Sequence, residues 1–209
     1  VKKQIDTWKG DFGYAYTHRN NQTPYELDDM YIENFGFSRT DLNQLFVGNM
    51  SKKMKILEVG SNTCLQLKML QRIGFTNLYG IEINLMSIEE SKRCTDYIYN
   101  MYGEAADIPF KDCFFDLVFT TGLLIHIHPK EINEVLSEIY RCTKKYILCH
   151  EFFADEYIEV DYRGKEEILW KTNFCSLFLN KFPDLNIVKS VKLKYKDTDN
   201  IDEMFLLEK

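Results

Sequence analysis

One run constrains this chain more than any other: Lys55-Ile56-Leu57-Glu58-Val59-Gly60-Ser61-Asn62-Thr63-Cys64, where an apolar strand gives way to an acid, a glycine and small polar residues before a helical pattern begins. At the carboxyl end of a parallel strand the backbone must reverse tightly. Gly60 can take a conformation there that a side chain would resist, and it lets a ligand approach the main chain. The helix that follows presents unpaired amides and a positive dipole end to a carboxylate or phosphate. Taken alone, the run describes either a cradle for a nucleotide-type ligand or an ordinary strand-to-helix connection.

From Lys55 onward, short apolar runs alternate with helical patterns, which predicts an α/β fold with a parallel sheet covered on both faces. Strands are expected at 55–59, 78–83, 97–102, 115–120 and 146–149, the fourth apolar enough for burial on both sides. Helices are expected from Leu65 to Ile73, stopped by Gly74, from Met86 to about Cys94, and after Pro129, with Ile132, Val135, Leu136 and Ile139 facing inward. Trp170 to Phe182 reads as a helix ended by Pro183, and 187–195 and 204–207 read as two strands pairing in a hairpin. Before Met50 the pattern is less regular. Trp8, Phe12, Tyr14, Tyr16, Tyr25, Tyr31, Phe35 and Phe37 crowd this segment, which is expected to fold over the sheet as an aromatic satellite core or as a lid on a pocket. The chain is thus read as one domain, 1–209, with a cap at 1–50 and the core at 55–209.

Composition narrows the partners. The 209 residues are 45% hydrophobic and carry a net charge of -6, enough for one core and without the basic footprint that a phosphate backbone demands. Nucleic acid is not an expected partner. No run approaches the roughly 20 apolar residues that span a bilayer, and Val1-Lys2-Lys3-Gln4-Ile5-Asp6 has no signal-type apolar core, so a soluble cytoplasmic protein is expected. The six cysteines lie far apart and are expected to be free, buried thiols. His126, His128 and His150 have no spacing that fixes a metal site, and none is expected.

Glu82 ends the second expected strand about 20 residues after the glycine turn, where an acid can accept hydrogen bonds from both hydroxyls of a ribose. A nicotinamide dinucleotide would use the same acid. Its turn, however, carries Gly-x-Gly-x-x-Gly, and here Asn62 and Leu65 take the second and third glycine positions, which would serve a pyrophosphate poorly. A third unit follows: the loop Gly103 to Phe110, with Asp107-Ile108-Pro109-Phe110, precedes the strand Phe115-Asp116-Leu117-Val118-Phe119, which runs into Thr121-Gly122.

With these units in order, Lys55 to His150 resembles the class I S-adenosylmethionine-dependent methyltransferases. The resemblance implies a Rossmann-like, seven-stranded, mostly parallel sheet with helices on both faces, and S-adenosyl-L-methionine as cofactor. Carried over by position, Glu58, Gly60, Ser61 and Asn62 would hold the methionine part and Glu82 the ribose. Ala105 and Ala106 would flank the adenine, Ile83 would line its face, and Thr121 and Gly122 would complete the cofactor set. The departures from the family pattern are Asn62 and Cys64 in place of its later glycines. Asparagine tolerates a left-handed backbone, and its amide, expected against the methionine portion, can donate to a carboxylate.

A narrower resemblance rests on Trp8-Lys9-Gly10-Asp11-Phe12-Gly13, Tyr16, Arg19-Asn20, Gly122 to Pro129 and Tyr162-Arg163-Gly164. These look like the methylases associated with pseudaminic acid biosynthesis, and imply an acceptor that is a nonulosonic acid sugar or its precursor in surface-glycan biosynthesis. For a hydroxyl acceptor His126 is expected as the base, or else as a packing group beside the cofactor. Glu151 is a second candidate base, or a partner of Arg163 or Arg19. Arg19, Tyr162 and Arg163 would clamp an acidic sugar, since guanidinium meets carboxylate in a bidentate fashion. Tyr14 and Tyr16 would close over the methionine end or pack in an aromatic core. Other readings stay open on the sequence: a cyclase or lyase consuming the same cofactor, a nicotinamide-dependent sugar-modifying enzyme, or a non-catalytic cofactor-binding protein.

Overall fold

The computed structural model describes residues 2–209, so Val1, the first residue of the expected cap, lies outside the described residues. The segment that looked irregular in sequence is four helices: α1 (Lys2–Lys9), α2 (Asp11–Arg19), α3 (Pro24–Phe35) and α4 (Arg39–Val47). Two of them start on reciprocal capping boxes, Thr23 with Glu26 and Ser38 with Asp41, and Pro24 occupies the first turn of α3. Gly36, at φ +88°, ends α3 in the left-handed conformation. The start signals were therefore present in the sequence, but the crowding of aromatics on both sides of these short helices hid their periodicity.

The core follows as β1 (Lys55–Val59), α5 (Leu65–Arg72), β2 (Asn77–Glu82), α6 (Leu85–Cys94), β3 (Ile98–Tyr102) and β4 (Phe115–Thr121). A 3-10 turn at Leu124–His126 leads to α7 (Ile132–Cys142) and β5 (Thr143–Phe152), then β6 (Ile158–Val160), β7 (Leu169–Lys171), α8 (Phe174–Lys181), β8 (Asn186–Lys194) and β9 (Ile201–Glu208). Seven strands form one sheet in the order β3-β2-β1-β4-β5-β9-β8, in which β9 alone runs against its neighbours. The expected mostly parallel sheet with a closing antiparallel hairpin is this arrangement.

Alternation along the strands feeds two cores. Leu57, Val59, Phe205 and Leu207 face α7 and α8, whereas Ile56, Leu148, Met204 and Leu206 face α3, α4 and α5. Glu58, between Leu57 and Val59, therefore points to the α3–α5 side. One expectation is corrected: the helix expected from Trp170 does not begin there, because Trp170 and Lys171 belong to the strand Leu169–Lys171, which pairs with Ile158–Val160 in a separate two-stranded hairpin, and α8 starts only after Asn173, whose side chain accepts from Ser176 N. Tertiary pairing that buries Leu169 and Trp170 overrides the local helical pattern. Another concerns the cysteines: all six are free, yet Cys94 and Cys113 are exposed. Among the described residues no helix is long and apolar enough to cross a membrane.

Candidate active site

The carboxyl ends of β1, β2, β4 and β5 meet the α1–α3 cap around a cavity of about 500 Å3. The turn after β1 is left-handed at Gly60 (φ +74°), Asn62 (φ +47°) and Cys64 (φ +64°). Gly60 N and Ser61 N both donate to Ile81 O, at 2.9 and 3.0 Å, which ties the turn to β2. A Cβ on Gly60 would come within 2.7 Å of Leu123 Cδ1, and at φ +74° a side chain is strained, so glycine suits the turn where it packs on the segment after β4. Ser61 Oγ donates to Asn100 Oδ1 at 2.7 Å, a contact to β3 that no sequence pattern announced.

Glu82 collects three backbone amides: Asn62 N at 2.9 Å on one oxygen, Ile83 N and Asn84 N at 2.8 Å each on the other. Burial pushes its carboxyl up and these amides pull it back. Glu58 is 3% exposed and its Oε2 is buried without a partner; burial holds its carboxyl well above the usual range. Ile83, Ala105, Ala106, Thr121 and Gly122 line the same cavity.

The cap is latched to this turn by residues that sequence reasoning missed. Thr17 Oγ1 lies 2.9 Å from Asn62 Oδ1 and 2.6 Å from Ser87 Oγ, and Asn84 Nδ2 donates to Trp8 O at 2.9 Å. The expected role of the Asn62 side chain is thus shared, since its oxygen already faces Thr17. Gln4 Nε2 donates to His126 O, and Gln4 Oε1 accepts from His128 N at 3.1 Å.

His126 Nδ1 donates to Ile168 O at 2.9 Å, which places the lone pair on Nε2. The ring sits 4.5 Å from the Trp8 ring and 5.6 Å from Tyr162 between centroids, and burial lowers its pKa to about 4. Glu151, 2% exposed, accepts from Thr120 Oγ1 at 2.8 Å, Leu123 N at 3.2 Å and Ile125 N at 3.3 Å. Burial raises it to about 7. These partners replace the expected pairing with Arg163 or Arg19, because the 3-10 turn aims its free amides at the end of β5.

The remaining expected residues divide. Tyr16 lines the cavity, whereas Tyr14 stands on the opposite side of α2, exposed and packed on the His18 ring at 4.3 Å. Arg19, Tyr162 and Arg163 lie outside the cavity lining. They gather around Phe12, whose ring is 6.1 Å from Tyr162 and 6.0 Å from the Arg19 guanidinium, while Arg163 lies 5.9 Å from the Tyr162 ring. Both arginines are exposed, so the residues expected as a clamp form no part of the cavity wall.

Residues 57–147 match the methyltransferase domain family. That span is a methyltransferase domain. The enzyme is an S-adenosylmethionine-dependent methyltransferase with S-adenosyl-L-methionine as cofactor. Solved structures share the fold of this methyltransferase at low identity. The PH0226 protein from Pyrococcus horikoshii OT3 is 15% identical, covers 97% of this chain and 95% of its own, and has a TM-score of 0.66. A SAM-dependent methyltransferase from Methanosarcina mazei is 16% identical, with 77% and 94% covered and a TM-score of 0.62. The 4+2 cyclase SpnF is 12% identical, with 81% and 79% covered and a TM-score of 0.64. Among curated protein sequences, none matches the chain.

The geometry fits the cofactor of such a methyltransferase on grounds of its own. Gly60 gives up its side-chain space to Leu123 and so keeps the turn against the end of β4, and the orphaned Oε2 of Glu58 suits an ammonium group.

Proposed function

We propose that this methyltransferase acts on a small-molecule acceptor, a sugar or nonulosonic acid-type precursor of surface-glycan synthesis, in its narrowest form a pseudaminic acid-type precursor. The observation that carries the small-molecule reading is the cap beside the cavity: the Thr17–Asn62 and Trp8–Asn84 contacts hold the cap against the turn, leaving a concave space of about 500 Å3. Aromatic rings beside carboxylates support a sugar, whose hydroxyls donate to carboxylates and whose apolar faces pack on rings. The motifs at Trp8–Gly13, Gly122–Pro129 and Tyr162–Gly164 support the narrower class.

In this reading Glu58, Gly60, Ser61 and Asn62 hold the methionine part of the cofactor, Glu82 the ribose, and Ile83, Ala105 and Ala106 the adenine. Thr121 and Gly122 form the floor at the end of β4. When bound, S-adenosylmethionine supplies an electrophilic methyl group on a sulfonium. The chain aligns the acceptor and excludes water. His126, neutral and with Nε2 bearing the lone pair, takes the proton that the acceptor gives up, and Glu151 positions His126 by bracing the turn that carries it.

The test is incubation of the purified protein with S-adenosylmethionine and a panel of sugars, amino sugars and nucleotide sugars, read by mass spectrometry. A product heavier by one methylene, formed in step with S-adenosylhomocysteine, is expected. Tight cofactor binding with no consumption under any acceptor would make it a binding protein instead. A second reading has its own support, since SpnF shares the fold and is a 4+2 cyclase; conversion of a substrate with the cofactor untouched would identify such chemistry.

A further inference from the structure

We infer that a second copy of this chain pairs along β3, so that two seven-stranded sheets join about a twofold axis into one continuous sheet. The pairing is independent of the acceptor and goes beyond the methyl-transfer reading. β3 is an edge: it is bonded to β2 on one side only, and among the described residues no backbone hydrogen bond from elsewhere in the chain reaches 98–102. Alternate amides and carbonyls of an edge strand point away from the sheet and template a further strand, which is why edges carry lysine, proline, a bulge or a covering segment.

The β3 edge has none of these guards. Tyr97-Ile98-Tyr99-Asn100-Met101-Tyr102-Gly103 contains no charge and no proline, and its register with β2 runs without a bulge. Tyr97 is 84% exposed, Tyr99 59%, Tyr102 44% and Met101 37%. The connection from β3 to β4, residues 103–114, forms no helix. Its rings Phe110 and Phe114 reach Tyr79, while Tyr99 stacks on Tyr79 at 5.3 Å and stays open on its other side. The opposite edge is guarded: β8 carries Lys189, Lys192 and Lys194 and has a bulge between Ile187 and Lys189. Pairing at β3 is therefore not continued at β8, and the assembly closes at two copies.

Charge selects a second copy over a foreign strand. Antiparallel pairing about a twofold axis at Asn100 sets Tyr99 beside Met101 of the partner subunit, an aromatic ring beside a thioether, and brings no like charges together within the strand although the chain carries a net charge of -6. At the strand ends Asp96 approaches Glu104 of the partner subunit, a carboxylate whose charge Lys9 offsets at 2.7 Å. α6 rides on β3, where Asn100 Nδ2 donates to Ser91 Oγ at 3.0 Å. Its outer surface carries Glu89 and Glu90, then Lys92 and Arg93, which pair along the helix at 2.6 and 3.3 Å. The twofold axis runs the two α6 helices antiparallel, so the acidic half of each faces the basic half of the other.

The contact buries on the order of 1,000 Å2 in total, the low end for a specific interface, so the dimer dissociates on dilution. Sedimentation velocity on the full chain, from about 1 to about 200 µM, is expected to show the mass rising from that of one 24.8 kDa chain to that of two. Tyr99→Lys, which puts a charge into the seam, should weaken dimerisation by about 30-fold or more, whereas Val188→Lys, at an exposed apolar position of the β8 edge, should change it by less than about two-fold. Circular dichroism checks that both variants fold. If Tyr99→Lys does not, hydrogen exchange on the unaltered protein decides: protection across 97–103 should rise with concentration while that of 186–194 stays constant. A single chain at every concentration overturns the inference and leaves the β3 edge to a foreign strand. A dimer that Tyr99→Lys leaves intact, a dimer that Val188→Lys dissolves, or a mass beyond two chains overturns it equally.

Discussion

The main-chain amide of Asn62 donates to Glu82 Oε2 at 2.9 Å, across 20 residues of chain. The glycine turn after β1 and the acid that ends β2 are therefore one unit: the carboxylate that is proposed to meet the ribose also holds the turn proposed to meet the methionine. A carboxylate has lone pairs for both duties, since three amides occupy only part of its capacity.

Glu82→Ala should therefore lose more than ribose contacts. It leaves three amides without their acceptor, and we expect S-adenosylhomocysteine affinity to fall by about 100-fold, with Glu82→Gln falling less because one oxygen remains. Calorimetry on both variants measures the difference; equal losses would show that the turn does not depend on the carboxylate.

At Asn62, backbone strain and side-chain contact separate by substitution. Asn62→Ala places a less tolerant residue at φ +47° and removes the Thr17 contact, and should lower stability by about 1–2 kcal/mol in urea unfolding. Asn62→Gly relieves the backbone and should recover about half of that. Cofactor affinity unchanged in both would remove the proposed amide contact with the methionine portion.

Gly13→Ala tests the latch of the cap. The added Cβ would lie 1.9 Å from Trp8 O and 2.7 Å from Asn84 Nδ2, so α1 and α2 must separate from the turn. Hydrogen exchange is expected to rise across residues 4–20 while β1, β4 and β5 stay protected. Protection unchanged across the cap would show that it does not dock through this contact.

The proposed base His126 and its alternative Glu151 differ in their pH dependence. His126, lowered to about 4, is already deprotonated from pH 5 upward, so with His126 as base the rate stays level across neutrality. A limb near pH 7 that vanishes in Glu151→Gln would transfer the role to Glu151, raised to about 7.

Glu151 also predicts a stability signature of definite sign. Its folded pKa lies above the unfolded value, so the folded chain binds the extra proton and stability is lost as pH rises from about 4.5 through about 7. The loss is about 3 kcal/mol, and Glu151→Gln should flatten it. Chemical denaturation at pH 5 and pH 8 compares the two proteins; parallel pH profiles would place the shifted carboxyl elsewhere.

What the sequence by itself determined is local. Lys55–Val59, the left-handed turn that Gly60 and Asn62 tolerate, and Glu82 at the end of β2 follow from strand alternation and turn chemistry within a few residues, and they form the part of the candidate site proposed to hold the cofactor. The rest was decided by tertiary structure. Gln4 meets His126 across 122 residues and Arg39 meets His150 across 111, while Tyr195 and Asp202 come from the closing strands. No spacing in the chain encodes such contacts, because they form only where two separately specified elements pack. The same holds for Trp170 and Lys171, whose helical pattern yields to pairing with β6, and for Arg19 and Arg163, which local chemistry nominated as a clamp and packing left outside the cavity wall.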